Sequence, residues 1–278
     1  MFEITYKKQL APTITQISVV APLVTRNAQP GQFVIIRVSP KGERIPLTIY
    51  EAKGDEVTLI YQVVGASTRL LDEFKVGDSL TDVVGPLGEA TNLDLGKRVI
   101  VVGGGLGCAI AYPLVHKLYL KGTDVTSIIG FRTHDLVILE DEFRISSHHF
   151  YLTTDDGSYG EHGRVTDVLR RLLQSDKYDV VYAIGPMIMM KYVALTTKEF
   201  QTKTIVSMNS IMVDGTGMCG GCRVRVGGVM KFACVDGPDF DGHLVDFDEA
   251  MMRMNAYSAQ ETALNQHICH LLSKVSHE

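Results

Sequence analysis

Apolar and polar positions alternate along most of the N-terminal third of the chain. ITYKKQL, TQISVVA, GQFVIIRV, EVTLIYQVV and DSLTDVVG are short runs rich in β-branched residues, parted by glycine, proline and charged turns. This spacing predicts an antiparallel barrel or sandwich, with no helical period of any length competing. From about Lys97 the pattern changes to strand, glycine loop, helix. RVIVVGG, DVTSIIGF, HHFYLTTDD and YDVVYAIG read as apolar strands, and TKTIVSM as the last of them. GLGCAIAYPLVHKLYLKG, LVILEDEFRIS, RVTDVLRRLLQS and MIMMKYVALTTKEF have helical spacing and fall between strands. The alternation predicts βαβ units and a mostly parallel sheet covered on both faces. Beyond Met208 the regular alternation stops, and a stretch dense in glycine and cysteine runs to about Asp246. The expected division is therefore a β unit over residues 1–94, an α/β unit over 95–207, a cysteine segment over 208–250 and a helical tail over 251–278.

Composition narrows the function classes. The 278 residues carry 27 basic and 32 acidic side chains, a formal charge of -5, so nothing draws the chain to nucleic acid. The strongly apolar run around Lys97 to Tyr119 is interrupted by glycines and by Pro113, which argues against a membrane span. The N-terminal MFEITYKKQL lacks the layout of a secretory signal, and a cytoplasmic protein is expected. Of the five cysteines, Cys219, Cys222 and Cys234 fall together. In a chain with no signal, such grouping reads as metal ligation and not as a disulfide framework. Cys108, in an apolar glycine-rich segment, reads as a small buried residue, and Cys269 lies in a weakly patterned tail. His148, His149, His162 and His243 read as ordinary polar histidines.

The cysteine segment is VDGTGMCGGCRVRVGGVMKFACVDGP. Two residues separate Cys219 from Cys222, a gap that lets a tight turn present two thiolates to one centre. Cys234 arrives after a hairpin-like RVRVGGVMKFAC with Gly227 and Gly228 at the turn. A fourth ligand is needed and no fourth cysteine lies nearby; Asp214 is the candidate, giving Asp214-x4-Cys219-x2-Cys222-x11-Cys234. Plant-type iron–sulfur proteins use C-x4-C-x2-C and a distant cysteine, and here aspartate holds the first place. A carboxylate oxygen is a harder ligand than a thiolate, so it would alter the potential and proton coupling of a cluster. A structural zinc held by three cysteines and one other ligand is the competing reading.

The remaining segments point to nucleotides. Gly103, Gly104, Gly105 and Gly107 follow an apolar strand and open a helix, where diphosphate can approach backbone N–H groups; an ordinary helix start fits equally. Arg132 at a strand end, Asp155, Asp156 and Gly157 after another, and Gly185 with Pro186 after a third all sit at the expected ligand-facing edge. In the β unit, Arg44 suits phosphate, Thr48 suits a flavin ring, and Gly65, Ser67 and Thr68 suit a diphosphate at a helix start. Each of these is also compatible with an ordinary turn or cap.

RIPLTI, GASTRLL, GPLG, VGGGLG, GFR, DDGSYGEHGRVTDVL and AIGP occur in a fixed order over about residues 1 to 250. In that order the chain resembles ferredoxin-reductase-like electron-transfer subunits: an all-β FAD-binding barrel, an α/β parallel-sheet nucleotide-binding domain and a small C-terminal 2Fe-2S segment. The resemblance assigns Arg44, Pro46, Leu47, Thr48, Gly65, Ser67 and Thr68 to FAD, and Gly104, Gly105, Arg132, Asp156 and Gly185 to NAD(H). It assigns Asp214, Cys219, Cys222 and Cys234 to the cluster. Within the family, the aspartate resembles the small subunit of the bifurcating NADH-dependent reduced ferredoxin:NADP oxidoreductase more than the four-cysteine electron-transfer subunit of dihydroorotate dehydrogenase. It implies a large partner with its own FAD, two 4Fe-4S clusters and an NADP(H) site, through which ferredoxin is served. Hydride transfer requires no side-chain acid or base, so no catalytic residue is expected.

Overall fold

The computed structural model describes residues 2–94, 96–258, 260 and 262. The first unit is built from β1 (Phe2–Ala11), β2 (Ile14–Val20), a single helical turn α1 (Pro22–Thr25), β3 (Phe33–Arg37), β4 (Arg44–Lys53), β5 (Glu56–Gln62), α2 (Ala66–Glu73), β6 (Ser79–Leu80) and β7 (Asp82–Leu87). The strands lie in the order β6-β1-β2-β5-β4-β3-β7. β6 and β7 are therefore opposite edges of one sheet, yet only Thr81 separates them along the chain, and its N–H donates to Arg37 O at 3.0 Å. A sheet whose two edges meet through one residue has to curl, and the result is a nearly closed antiparallel barrel. Ile4, Ile17, Val19, Val34, Ile36, Val57, Leu59 and Tyr61 fill it. α2 starts where Gly65, Ser67 and Thr68 were expected to open a helix, and the whole of β4 stands where the sequence showed only a binding motif.

The second unit consists of β8 (Arg98–Gly104), α3 (Gly107–Leu120), β9 (Asp124–Phe131), α4 (Glu140–Ile145), β10 (His149–Thr154), β11 (Glu161–His162), α5 (Val165–Ser175), β12 (Val180–Ile184), α6 (Met187–Glu199) and β13 (Lys203–Ser207). Its order, β11-β10-β9-β8-β12-β13, is parallel throughout and reverses direction between β8 and β12. Such a reversal opens a crevice at the carboxyl ends of the strands. α5 shows why the helices form. The Asp167 carboxylate accepts the Arg164 N–H at 2.8 Å, and Val165, Val168, Leu169, Leu172 and Leu173 form a buried stripe. Each such side chain contributes roughly 1.5–3 kcal/mol of transfer free energy. LVILEDEFRIS does not form one helix: Leu139 takes a left-handed conformation (φ 59°), leaving a 3-10 turn at His134–Leu136 and the short α4.

TKTIVSM is β13, but the sheet continues past it. The cysteine segment forms the expected hairpin, β14 (Arg223–Val226) against β15 (Val229–Phe232), and then β16 (Asp239–Asp241) pairs antiparallel with β13. The segment thus begins and ends on the α/β sheet. α7 (Phe247–Met254) follows, with Asp246 accepting the Glu249 N–H at 2.9 Å as its cap. Most of the tail expected to be helical lies outside the described residues. The barrel packs on α3, where the rings of Tyr50 and Tyr112 stack with centroids 5.7 Å apart. Its linker is fastened to the return strand: Glu89 N–H donates to Gly237 O at 2.7 Å, and the Thr91 hydroxyl to Asp239 Oδ2 at 2.6 Å. Among the described residues no helix is long and apolar enough to cross a membrane.

Candidate functional site

The cysteine lobe brings its four candidate ligands into one loop system. Cys222 and Cys234 are 1% and 3% exposed, and their sulfurs lie 3.1 Å apart. Burial, and then the neighbouring Cys222 side chain, pushes the Cys234 thiol up to about 12. Two sulfurs this close can reach one metal centre once both have lost their protons to it. Asp214 accepts the Thr216 N–H at 3.0 Å on one oxygen and the Cys219 N–H at 2.9 Å on the other, and these amides, Thr216 first, hold its carboxyl below the usual range. Gly221 N–H points at Cys219 Sγ from 3.4 Å. Among the described residues no three His, Cys, Asp or Glu side chains converge on one ion position. The Cys222 and Cys234 sulfurs lie together, and Asp214 meets the exposed Cys219 through its backbone N–H.

The lobe is also welded to the barrel. Phe33 and Ile35 of β3 share one hydrophobic core with Met212, Cys222, Ala233 and Cys234. A Cβ added at Gly215 would meet Leu87 and Ile35 side chains at 2.6 and 3.0 Å, so the ligand loop lies directly on β7 and β3. On the adjacent β4, Thr48 pairs with Phe33, Leu47 with Val34 and Pro46 with Ile35. Residues opposite one another in a ladder project to the same face. Pro46 and Thr48 therefore share the face of Phe33 and Ile35, next to the lobe. At the start of α2, Thr68 Oγ1 accepts the Val64 and Gly65 N–H groups at 3.0 Å each, and the Ser67 hydroxyl donates to Glu43 Oε2 at 2.8 Å, tying this turn to the approach to the exposed Arg44. Nothing lies within 4 Å of a Cβ built at Gly65, which leaves its backbone open to a ligand.

At the sheet reversal the backbones of β8 and β12 approach closely. A Cβ at Gly107 would fall 2.4 Å from Ile184 O, one at Gly185 2.9 Å from Gly104 O, and one at Gly104 2.4 Å from Met189 Sδ. Gly105, at φ +53°, faces open space at the entry to α3. These glycines keep a cradle at the helix N-terminus that side chains would fill, which fits a diphosphate. Arg132 and Asp156 sit together at the ends of β9 and β10, with Asp156 N–H donating to Arg132 O at 3.3 Å. They are remote from the cysteine lobe, which lies beyond β13 at the other end of the sheet. Sequence reasoning missed Phe33, Ile35, Tyr50, Tyr112 and Met189. A signal existed for the first two, because FVII is apolar on both faces of its strand and so is covered on both sides.

A barrel beside a doubly wound sheet, with a cysteine lobe packed against both, defines the class: an oxidoreductase subunit of ferredoxin-reductase-like fold. The Amycolatopsis cytochrome P450 reductase shares that fold at 20% identity, with TM-score 0.63 over 72% of this chain and 65% of that one. Residues 209–246 match the family model for the iron–sulfur cluster binding domain of dihydroorotate dehydrogenase B. A Thermotoga maritima homologue of the dihydroorotate dehydrogenase B (NAD(+)) electron transfer subunit is 46% identical over 93% of this chain and 92% of its own length. The electron transfer subunit of Geobacillus sp. is 37% identical over 84% of this chain and 93% of its own. A chain of the solved NADH-dependent reduced ferredoxin-NADP oxidoreductase is 43% identical, with TM-score 0.91 over 97% of this chain and 98% of that one. The chain belongs to this family of iron–sulfur electron-transfer subunits, which work beside a larger subunit.

Proposed function

We propose that the chain is the electron-transfer subunit of a flavin-based electron-bifurcating NADH-dependent reduced ferredoxin:NADP oxidoreductase, holding one FAD, one 2Fe-2S cluster and an NAD(H) site. The carrying observation is Asp214 in the first ligand position, its carboxylate accepting the Cys219 N–H within the cysteine loop. The match over nearly the full length of both chains to the solved ferredoxin-NADP oxidoreductase chain supports the same reading. When bound, the flavin exchanges hydride with a nicotinamide and single electrons with an iron–sulfur cluster.

The chain's own residues position these groups. Arg44, Pro46, Leu47 and Thr48 on β4 hold the flavin, and Gly65, Ser67 and Thr68 its diphosphate. Gly104, Gly105 and Gly185 admit the nicotinamide nucleotide at the sheet reversal, with Arg132 and Asp156 at its other half. Asp214, Cys219, Cys222 and Cys234 hold the cluster, and β3 separates it from β4 by one strand spacing, which keeps electron transfer short. The large partner supplies its own FAD, two 4Fe-4S clusters and the NADP(H) site, and through it ferredoxin.

Anaerobic purification of the native complex, with mass identification of the partner and iron, sulfide and flavin counts, tests the reading. Two irons, two sulfides and one FAD on this chain, with a flavin- and four-iron-cluster-bearing partner, are expected. A dihydroorotate-oxidising partner assigns the chain instead to the dihydroorotate dehydrogenase branch, and zinc without flavin removes electron transfer altogether.

A further inference from the structure

One peptide unit in the cysteine loop is held at both ends. Gly220 O accepts the Arg223 Nε–H at 2.9 Å, and Gly221 N–H, the other end of the same unit, points at Cys219 Sγ from 3.4 Å. A trans peptide carries its C=O and N–H on opposite sides, so gripping the oxygen aims the hydrogen. Both flanking residues are glycines, with Gly220 at φ +68°, and turning this unit over meets no Cβ of its own. The unit therefore has two accessible orientations. One presents a donor to the sulfur, and the other presents the carbonyl.

Arg223 is placed to select between them. It is the first residue of β14, directly after the buried Cys222, and it pairs across the hairpin with Phe232. A Cβ built at Gly220 would lie 3.7 Å from Arg223 Nε and 3.9 Å from Phe232 Cε1, so both members of this cross-strand pair stand over the turn. The hairpin thereby fixes the guanidinium, and the guanidinium fixes the turn. Cys219, which receives the N–H, is the exposed one of the three lobe cysteines. Hydrogen bonds to ligand sulfurs are among the groups that set the potential of an iron–sulfur centre. A donor stabilises the form with more negative charge on sulfur, which is the reduced one, and a carbonyl in the same place destabilises it.

We infer that Arg223 is a positioning residue which, through the Gly220–Gly221 peptide, keeps an N–H on Cys219 Sγ and so holds the reduction potential of the cluster up. The inference rests on the 2Fe-2S reading proposed above. Arg223 acts through the backbone and not through its charge, which is exposed and screened by water and salt.

Two variants of matched length separate backbone positioning from charge. Glutamine carries Nε2 as many bonds from Cα as arginine carries Nε, so Arg223→Gln keeps the donor and removes the charge, whereas Arg223→Met has the same reach and neither. The midpoint potential of the cluster is read by EPR-monitored redox titration of the flavin- and iron-loaded protein at about 1 M salt, where the screening length is about 3 Å. Arg223→Met is expected to shift the reduction equilibrium about tenfold toward the oxidised form, the size of one lost hydrogen bond, which is a midpoint about 59 mV lower. Arg223→Gln is expected to stay within about twofold of wild type, as a conservative rescue should. Resonance Raman gives a second readout, in which the iron–cysteine stretching bands move in Arg223→Met and return in Arg223→Gln. A wild-type midpoint in Arg223→Met overturns the inference, and so does an Arg223→Gln midpoint as low as that of Arg223→Met; either result, with two irons bound, leaves the proposed function standing. Should Arg223→Met hold too little iron to titrate, full iron and a wild-type midpoint in Arg223→Gln carry the same conclusion, and a tenfold shift there overturns it. Zinc in place of iron in the wild-type chain overturns this inference and the proposed function together.

Discussion

Individual side chains carry most of the testable chemistry. Cys222 and Cys234 are buried beside the barrel residues Phe33 and Ile35, so replacing either with serine takes away a proposed ligand and places a hydroxyl in an apolar site. Cys222→Ser and Cys234→Ser are each expected to lower bound iron and sulfide to well under half of the wild-type ratio, by colorimetric assay of anaerobically purified protein. Asp214→Cys restores an all-thiolate set; iron and sulfide should remain stoichiometric while the visible charge-transfer bands shift, and an unchanged spectrum would show that Asp214 is not a ligand. Gly107 has a different constraint, because a methyl there lies 2.4 Å from the Ile184 carbonyl. Gly107→Ala is expected to destabilise the fold by roughly 1–3 kcal/mol through overpacking, read from chemical denaturation. The cysteine spacing and the glycines between β8 and α3 could be seen in the sequence because both are local patterns. Phe33, Ile35 and the Tyr50–Tyr112 stack were not, because they meet partners far away along the chain and no local pattern names a distant partner.

Between elements, the joint formed by the barrel linker and β16 has its own titration. Burial holds the Asp239 carboxyl above the ordinary aspartate range, although the Thr91 hydroxyl donates to it. The folded state thus binds this proton more tightly than the unfolded chain does. The stability it contributes is present in full below the ordinary aspartate pKa and is lost as pH rises through the raised folded value. Asp239→Asn, which keeps an acceptor for Thr91 and carries no charge, is expected to gain stability relative to wild type as pH rises from acid toward neutral. Denaturation midpoints measured across that range check this, and parallel curves for the two proteins would refute it. β16 itself escaped sequence reading because it is a three-residue strand, Asp239–Asp241, flanked by glycines and a proline. LVILEDEFRIS was misread for the opposite reason. Its helical composition is real, but Leu139 breaks it so that Glu140 can begin α4 within reach of Tyr159.

Across the whole molecule, the order of units along the chain gave the architecture: alternating strands, then βαβ units, then the cysteine lobe. Their mutual packing was not legible, since the barrel, the sheet and the lobe are joined through side chains drawn from all three. The join has a consequence for how the protein is made. The strand that covers β13 is β16, and it lies after Cys234, the last cysteine of the lobe. During synthesis the sheet is therefore left with β13 as a bare edge until the lobe has folded, and bare edges recruit other chains. Chains produced under iron limitation should accumulate in aggregates or be degraded, while iron-replete chains stay soluble at equal expression. Cluster delivery would thus act as a quality-control step in biogenesis, admitting to assembly only subunits that have received their iron.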